Sequence, residues 1–246
     1  IRLFQGSKYV QSKIGNTFRQ AEAFLKAGRK VMFTGTPCQL AGLRLFLRKD
    51  YGDQLLKVDV VCHGVPSPMV WNDYLKYIRT QVGKNSADDM PVITGISFRD
   101  KKISWEKYGI SCYVALKGDK NTASPAKHLF KYHQDNPYFW GFNGDLLLRQ
   151  SCFNCPSKSG KSHSDITIGD FWHINSIHPT LDTEKGVSMV LIRNQRIKKI
   201  LSDLNIFTIS TSYSDAISCV PSIERSETIP SRYNEFWTMY RNKGID

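Results

Sequence analysis

The first eighty residues switch repeatedly between helical and strand periodicity. Within 16–27 the pattern TFRQAEAFLKA places Phe18, Ala21, Phe24 and Leu25 on one helical face. Asn16 is positioned to cap that helix and Gly28 to stop it. Residues 30–34 read as a short buried strand, closed by the turn Gly35-Thr36-Pro37-Cys38. A helix over 39–49, a strand over 57–62 and an amphipathic helix over 69–82 follow, the last with Trp71, Tyr74, Leu75 and Ile78 facing inward. Strand, helix, strand, helix at this spacing predicts a parallel βαβ unit. Downstream, 92–98 and 108–116 alternate as strands joined by a charged turn at 99–102, and 117–127 is a polar loop. Residues 128–140 are expected to be helical up to the Asn136-Pro137 break. Strands at 165–168 and 187–192, a basic helix at 194–204 and a last helix at 231–241 complete the reading. The expected fold is α/β: a mixed, partly parallel sheet with flanking helices and a small cysteine-bearing loop insertion. It is taken as one domain over 1–246, with the cysteine loop and following strand at 141–172.

Composition narrows the functional classes. A chain of 246 residues, 41% hydrophobic and 23% charged, is neither disordered nor fibrous. No apolar run approaches the roughly 20 residues that span a bilayer, and no secretory leader is visible, so a cytoplasmic protein is expected. Lys and Arg number 34 against 22 Asp and Glu, a formal charge of +12 that favours anionic partners. Six cysteines are too few for a disulfide framework at this size, and two form a Cys-x-x-Cys pair, which points to metal or redox chemistry.

That pair, Cys152 and Cys155 in RQSCFNCPSKSGKS, can grip one metal or one cluster edge from a turn built around Pro156, Ser157 and Gly160. It supplies half a tetrahedral site. Cys38 and Cys62 each follow a predicted parallel strand, and such strand ends are where open α/β sheets bind ligands. Cys112, inside a strand, and Cys219, in an apolar tail, fit packing instead. Zinc competes, since His63, His163, His173 and His178 are available, although none has finger-type spacing. Cys62-His63 also fits a nucleophilic thiol, but neighbours at a strand end rarely face each other. Ser159-Gly160-Lys161-Ser162 imitates the end of a P-loop, yet Cys155 stands where its first glycine belongs. The turn at Thr34-Gly35-Thr36-Pro37 offers backbone N–H groups to a phosphate. The loop Gly169-Asp170-Phe171-Trp172 offers rings to a flat cofactor, or simply core packing.

Taken together, GSKYVQSKIG (6–15), VMFTGTPCQLAGLRLFL (31–47), VDVVCHGVPSPMVWNDYL (58–75), ISFRDK (96–101), LLRQSCFNCPSK (147–158) and SDITIGDFW (164–172) resemble the coenzyme F-420 hydrogenase/dehydrogenase beta-subunit family. The likeness runs over about 6–192, and the tail at 193–246 adds no motif to it. It implies an iron–sulfur flavoprotein oxidoreductase that passes electrons between a 4Fe–4S cluster, FAD and a deazaflavin, ferredoxin or other acceptor. It implies Cys38, Cys62, Cys152 and Cys155 as the cluster ligands, and Gly35, Thr36, Pro37, Gln39, Gly169 and Asp170 near the flavin. It also implies an upstream ferredoxin-like segment, so the chain is expected to be the later part of a longer protein. Two positions depart from the family pattern: Gln150 replaces a proline, and His173 stands where glycine usually follows GDFW, adding bulk beside the flavin loop.

The expected partners are an acidic electron carrier or the ferredoxin-like segment, together with a small-molecule redox substrate. Nucleic acid is not expected. For proton transfer His63 is the nearest candidate. The alternatives are a zinc-stabilised binding module whose basic helix at 194–204 grips an anionic partner, and a catalytically incomplete fragment.

Overall fold

A computed structural model describes residues 5–82, 91–102, 104–115, 127–181 and 183–244. In chain order the elements begin α1 (Thr17–Lys26), β1 (Val31–Gly35), α2 (Pro37–Leu47), β2 (Leu55–Val60) and α3 (Pro68–Thr80). They continue β3 (Val92–Asp100), β4 (Gly109–Ala115), β5 (Lys127–Tyr132), α4 (Pro137–Asn143), β6 (Ile166–Asp170) and β7 (Ser188–Ile192). Last come α5 (Gln195–Ser202), α6 (Tyr213–Cys219) and α7 (Tyr233–Lys243). The fold is mixed α/β with a partly parallel sheet and flanking helices. Interleaved stretches make two compact units: one from 12–64 and 150–227, the other from the described parts of 1–11, 65–149 and 228–246.

The first unit holds the four-stranded sheet in the order β1-β2-β6-β7. β1 and β2 run parallel, as do β2 and β6, whereas β7 returns antiparallel on β6. The βαβ unit expected at the start of the chain is β1-α2-β2. α1 buries Ala21 and Leu25, one turn apart, and the left-handed Gly28 (φ 76°) ends it. α2 starts two residues before its apolar pattern does. Pro37 fits the first helical position, and Thr36 with Gln39 closes a capping box, so the turn itself is drawn into the helix. Leu25, Leu43, Leu47 and Leu55 form one core, with Phe18 and Phe33 against it. Phe171, Ile174, Met189, Ala216, Cys219 and Ile223 belong to a second. The seven-residue α6 had no counterpart in the periodicity reading.

The second unit holds the antiparallel sheet β3-β4-β5. Here the expected helix over 128–140 is replaced by two elements. Residues 127–132 pair with β4 from Val114↔Lys127 to Gly109↔Tyr132, so their alternation is that of a strand. Asn136-Pro137 begins a helix rather than breaking one: the Asn136 side chain accepts from the N–H groups of Tyr138 (3.0 Å) and Phe139 (3.3 Å). Arg99, expected in a charged turn, lies in β3 and is buried. Its guanidinium donates to the Trp105 carbonyl (2.8 Å) and covers the Tyr108 ring at 4.5 Å. The expected loop at 117–127 lies outside the described residues except for Lys127. Residues 5–12 form no strand, yet the Tyr9 ring packs edge-on against Phe139 and Phe142, both at 5.3 Å. Among the described residues no helix is long and apolar enough to cross a membrane.

Candidate functional site

Parallel pairing puts several strand ends on one edge of the four-stranded sheet. The register matches Gly35 with Asp59, and Cys38 and Cys62 each lie three residues beyond that pair. Asp59 in turn pairs with Thr167, two residues before Gly169. Both glycines have packing reasons to lack a side chain. A Cβ on Gly35 would stand 2.8 Å from Gln39 Oε1, inside the capping box. A Cβ on Gly169 would stand 2.7 Å from a methyl of Val61, the residue whose N–H donates to the Ile168 carbonyl (2.8 Å) and whose neighbour is Cys62. Gly169 therefore lets the end of the β2 segment lie close on β6.

Cys38 opens the first turn of α2 and is exposed, with the Thr36 hydroxyl 3.2 Å from its sulfur. Cys62, Cys152 and Cys155 are half-buried. Cys152 sits in a single 3-10 turn, Gln150–Asn154. The chain after it is laid onto residues 222–227: Cys155 N–H donates to Ser226 Oγ (3.0 Å) and Ser159 N–H to the Ile223 carbonyl (3.1 Å). Ser159 and Gly160 take successive left-handed conformations (φ 56° and 73°), which fold the loop back. Lys158 is buried to 7% exposure, and its ammonium donates to the carbonyls of Cys62 and Ser222. This lysine ties the Cys-x-x-Cys loop to the strand-end cysteine.

The electrostatics join all four thiols. Burial pushes the Cys62 thiol up from 9.0 to about 12. The Lys158 charge opposes that rise, while Cys38, Cys152 and Cys155 each add to it, since a second thiolate nearby disfavours the first. Cys112 rises to about 11 through burial alone. Among the described residues no three His, Cys, Asp or Glu side chains converge on a single metal ion. Electrostatic influence reaches further than a metal–sulfur bond of about 2.3 Å, so the two observations are compatible.

The other expected site residues have local roles. Thr36 caps α2: its N–H donates to Gln39 Oε1 (3.0 Å), and Gln39 Nε2 donates to Ser12 Oγ (2.7 Å). Pro37 is the first residue of that helix. These groups are thus engaged with one another at the turn where an anion was expected. Asp170 ends β6 opposite Ser188. His63 meets Glu227 through Nδ1 at 3.2 Å. His173 is exposed and left-handed (φ 58°), and its carbonyl accepts from Ser176 Oγ (2.8 Å). The backbone there, rather than the ring, is what makes the position suit glycine. Lys158, Ser222 and Ser226 escaped the sequence reading. Lys158 lies at the end of a recognised motif, but its partners are more than sixty residues away and carry no local signal.

The candidate site thus has Cys38 and Cys62 at the carboxyl edge of a partly parallel sheet, and a Cys-x-x-Cys loop tied to Cys62 through Lys158, within an α/β protein. The chain belongs to the family described as the C terminus of the beta subunit of coenzyme F420 hydrogenase/dehydrogenase, whose model matches residues 28–209. That membership places it among redox proteins. Among solved structures, a chain of the xenon-derivatised F420-reducing NiFe hydrogenase complex from Methanosarcina barkeri is similar, with a TM-score of 0.40 and 14% identity. The likeness covers 98% of this chain and 66% of that one. No curated protein matches.

Proposed function

We propose that the chain holds a 4Fe–4S cluster on Cys38, Cys62, Cys152 and Cys155 and acts as an iron–sulfur flavoprotein oxidoreductase. The observation that carries this reading is that Cys38 and Cys62 leave two parallel strands at matched positions, while Lys158 binds the Cys-x-x-Cys loop to the Cys62 carbonyl. The donor set fits: four sulfurs, a buried ammonium opposing their charge, and one exposed member, Cys38, where an electron can enter. When bound, such a cluster supplies one-electron transfer. The protein's own part is to present the sulfurs, partly shield Cys62 and leave Cys38 accessible.

FAD near Gly35, Thr36, Pro37, Gln39, Gly169 and Asp170 is proposed with it, supported by family membership. A flavin at this turn must compete with the capping contacts of Gln39. The proposed acceptors are a deazaflavin such as coenzyme F420, a ferredoxin or another acidic carrier, which the charge of +12 favours.

Oxygen-free purification followed by iron, sulfide and zinc analysis tests the cluster. About four irons per chain with a dithionite-bleachable brown colour is the expected result. Stoichiometric zinc without labile sulfide overturns the proposal in favour of a structural metal site. Flavin released on heating tests FAD separately.

A further inference from the structure

The ammonium of Lys158 is enclosed by protein, and the groups that receive its hydrogen bonds are carbonyls, those of Cys62 and Ser222. Among the described residues no carboxylate is paired with it. Carbonyl dipoles satisfy its protons but leave its charge uncompensated, and a buried uncompensated charge is costly. Lys158 stands three residues after Cys155, and its ammonium is bound to the backbone of Cys62, so it lies between the loop pair and the strand-end cysteine. The loop geometry therefore delivers one fixed positive charge to the place where four thiolates would gather.

We propose that Lys158 is the resident counter-charge of this site and sets the reduction potential of the metal centre, a role that rests on the cluster reading above. Reduction brings one electron from a one-electron carrier such as a ferredoxin, or from the mediator dye in the test below, and adds one negative charge to the centre. A fixed positive charge stabilises that form and raises the potential. Lys158 is a positioning residue that acts through Cys62, not a ligand.

The test is a mediated spectroelectrochemical titration of the wild-type chain, Lys158→Gln and Lys158→Arg, with iron and sulfide measured on each and circular dichroism establishing folding. Lys158→Met replaces the glutamine variant if that one does not fold. The uncharged variant is expected to favour the oxidised form at least tenfold more than wild type, a fall of about 59 mV for one electron. Lys158→Arg keeps most of the wild-type value. Loss of iron from the folded uncharged variant with retention in Lys158→Arg also supports the role. A loaded, uncharged variant at the wild-type potential overturns this inference alone, as does an arginine variant that behaves like glutamine. A wild-type chain without iron and sulfide overturns the cluster reading, and this inference with it.

Discussion

The two sheets of this chain treat the same residue type in opposite ways. In the parallel sheet, strands that run the same way end on the same edge, so Cys38 and Cys62 leave β1 and β2 at matched positions. In the antiparallel sheet, neighbouring strands end at opposite edges, and Cys112 lies mid-strand at 1% exposure. Burial raises both the Cys62 and the Cys112 thiols, so burial does not distinguish a functional cysteine from a packed one. Neighbours do. Cys62 has three thiols and an ammonium in its field, whereas desolvation alone moves Cys112.

The strongest way to break this contrast is to exchange sulfur for oxygen at each address. Cys62→Ser is expected to remove essentially all bound iron. Cys112→Ser should retain iron and lose about 1–2 kcal/mol of stability, because a hydroxyl replaces a packed thiol in an apolar strand. Iron assay and urea unfolding read the two effects. Iron retained by Cys62→Ser, or lost from Cys112→Ser, removes the distinction.

Close approaches of glycine provide the next comparison. A Cβ on Gly109, in the antiparallel sheet, would stand 2.4 Å from the Lys131 carbonyl oxygen, which belongs to the paired strand and cannot turn away. Gly109→Ala should cost about 3 kcal/mol by urea unfolding and leave the iron in place. A Cβ on Gly169 would press most closely on the Val61 side chain, with backbone no nearer than 3.8 Å. Gly169→Ala should therefore cost less, about 1–2 kcal/mol, but should also lower iron content by displacing the segment that ends in Cys62. Adding Val61→Gly, which removes both the methyl and the Cβ that crowd the new side chain, should restore the iron. Failure of that rescue means that Gly169 matters for a reason other than contact with Val61.

The pH dependence of the metal-free chain separates the two thiols further. A thiol whose folded pKa lies above its unfolded value stabilises the fold below the unfolded value and loses that contribution as pH rises towards the folded one. For Cys62 the window runs from 9.0 to about 12, and for Cys112 from 9.0 to about 11. Stability should fall progressively above pH 9. Cys62→Ala should flatten the upper part of that fall more than Cys112→Ala does. Equal losses of stability between pH 10.5 and 11.5 for the two variants, read by chemical denaturation, would sink the assignment.

The parallel strands were legible because β1, β2 and β6 each carry a short apolar run with a glycine at its end or within four residues of it, and such runs have few other interpretations. Residues 127–132 were not, because Lys127-His128-Leu129-Phe130-Lys131-Tyr132 is too short for its period to decide between helix and strand without β4 beside it. Asn136-Pro137 was misread for a different reason: the dipeptide that ends one helix can start another, and only the cap bonds to Tyr138 and Phe139 decide which. At the site, the cysteines were found from strand ends and spacing. Their brace was not, since Ser222 and Ser226 meet the loop across long loops of sequence.

The smallest effect concerns His173. Its left-handed backbone costs an ordinary residue about 1–2 kcal/mol, and glycine returns part of that through the extra freedom it gives the unfolded chain. The contacts made there by Ser176 Oγ and Cys219 Sγ go to the His173 carbonyl, so they survive any side chain. The ring itself is exposed. His173→Gly should therefore stabilise the parallel-sheet unit by about 0.5–1 kcal/mol in urea unfolding, with iron content unchanged. Destabilisation instead means that the imidazole makes a contact worth more than the strain, and a change in flavin content on the same substitution places that contact at the flavin.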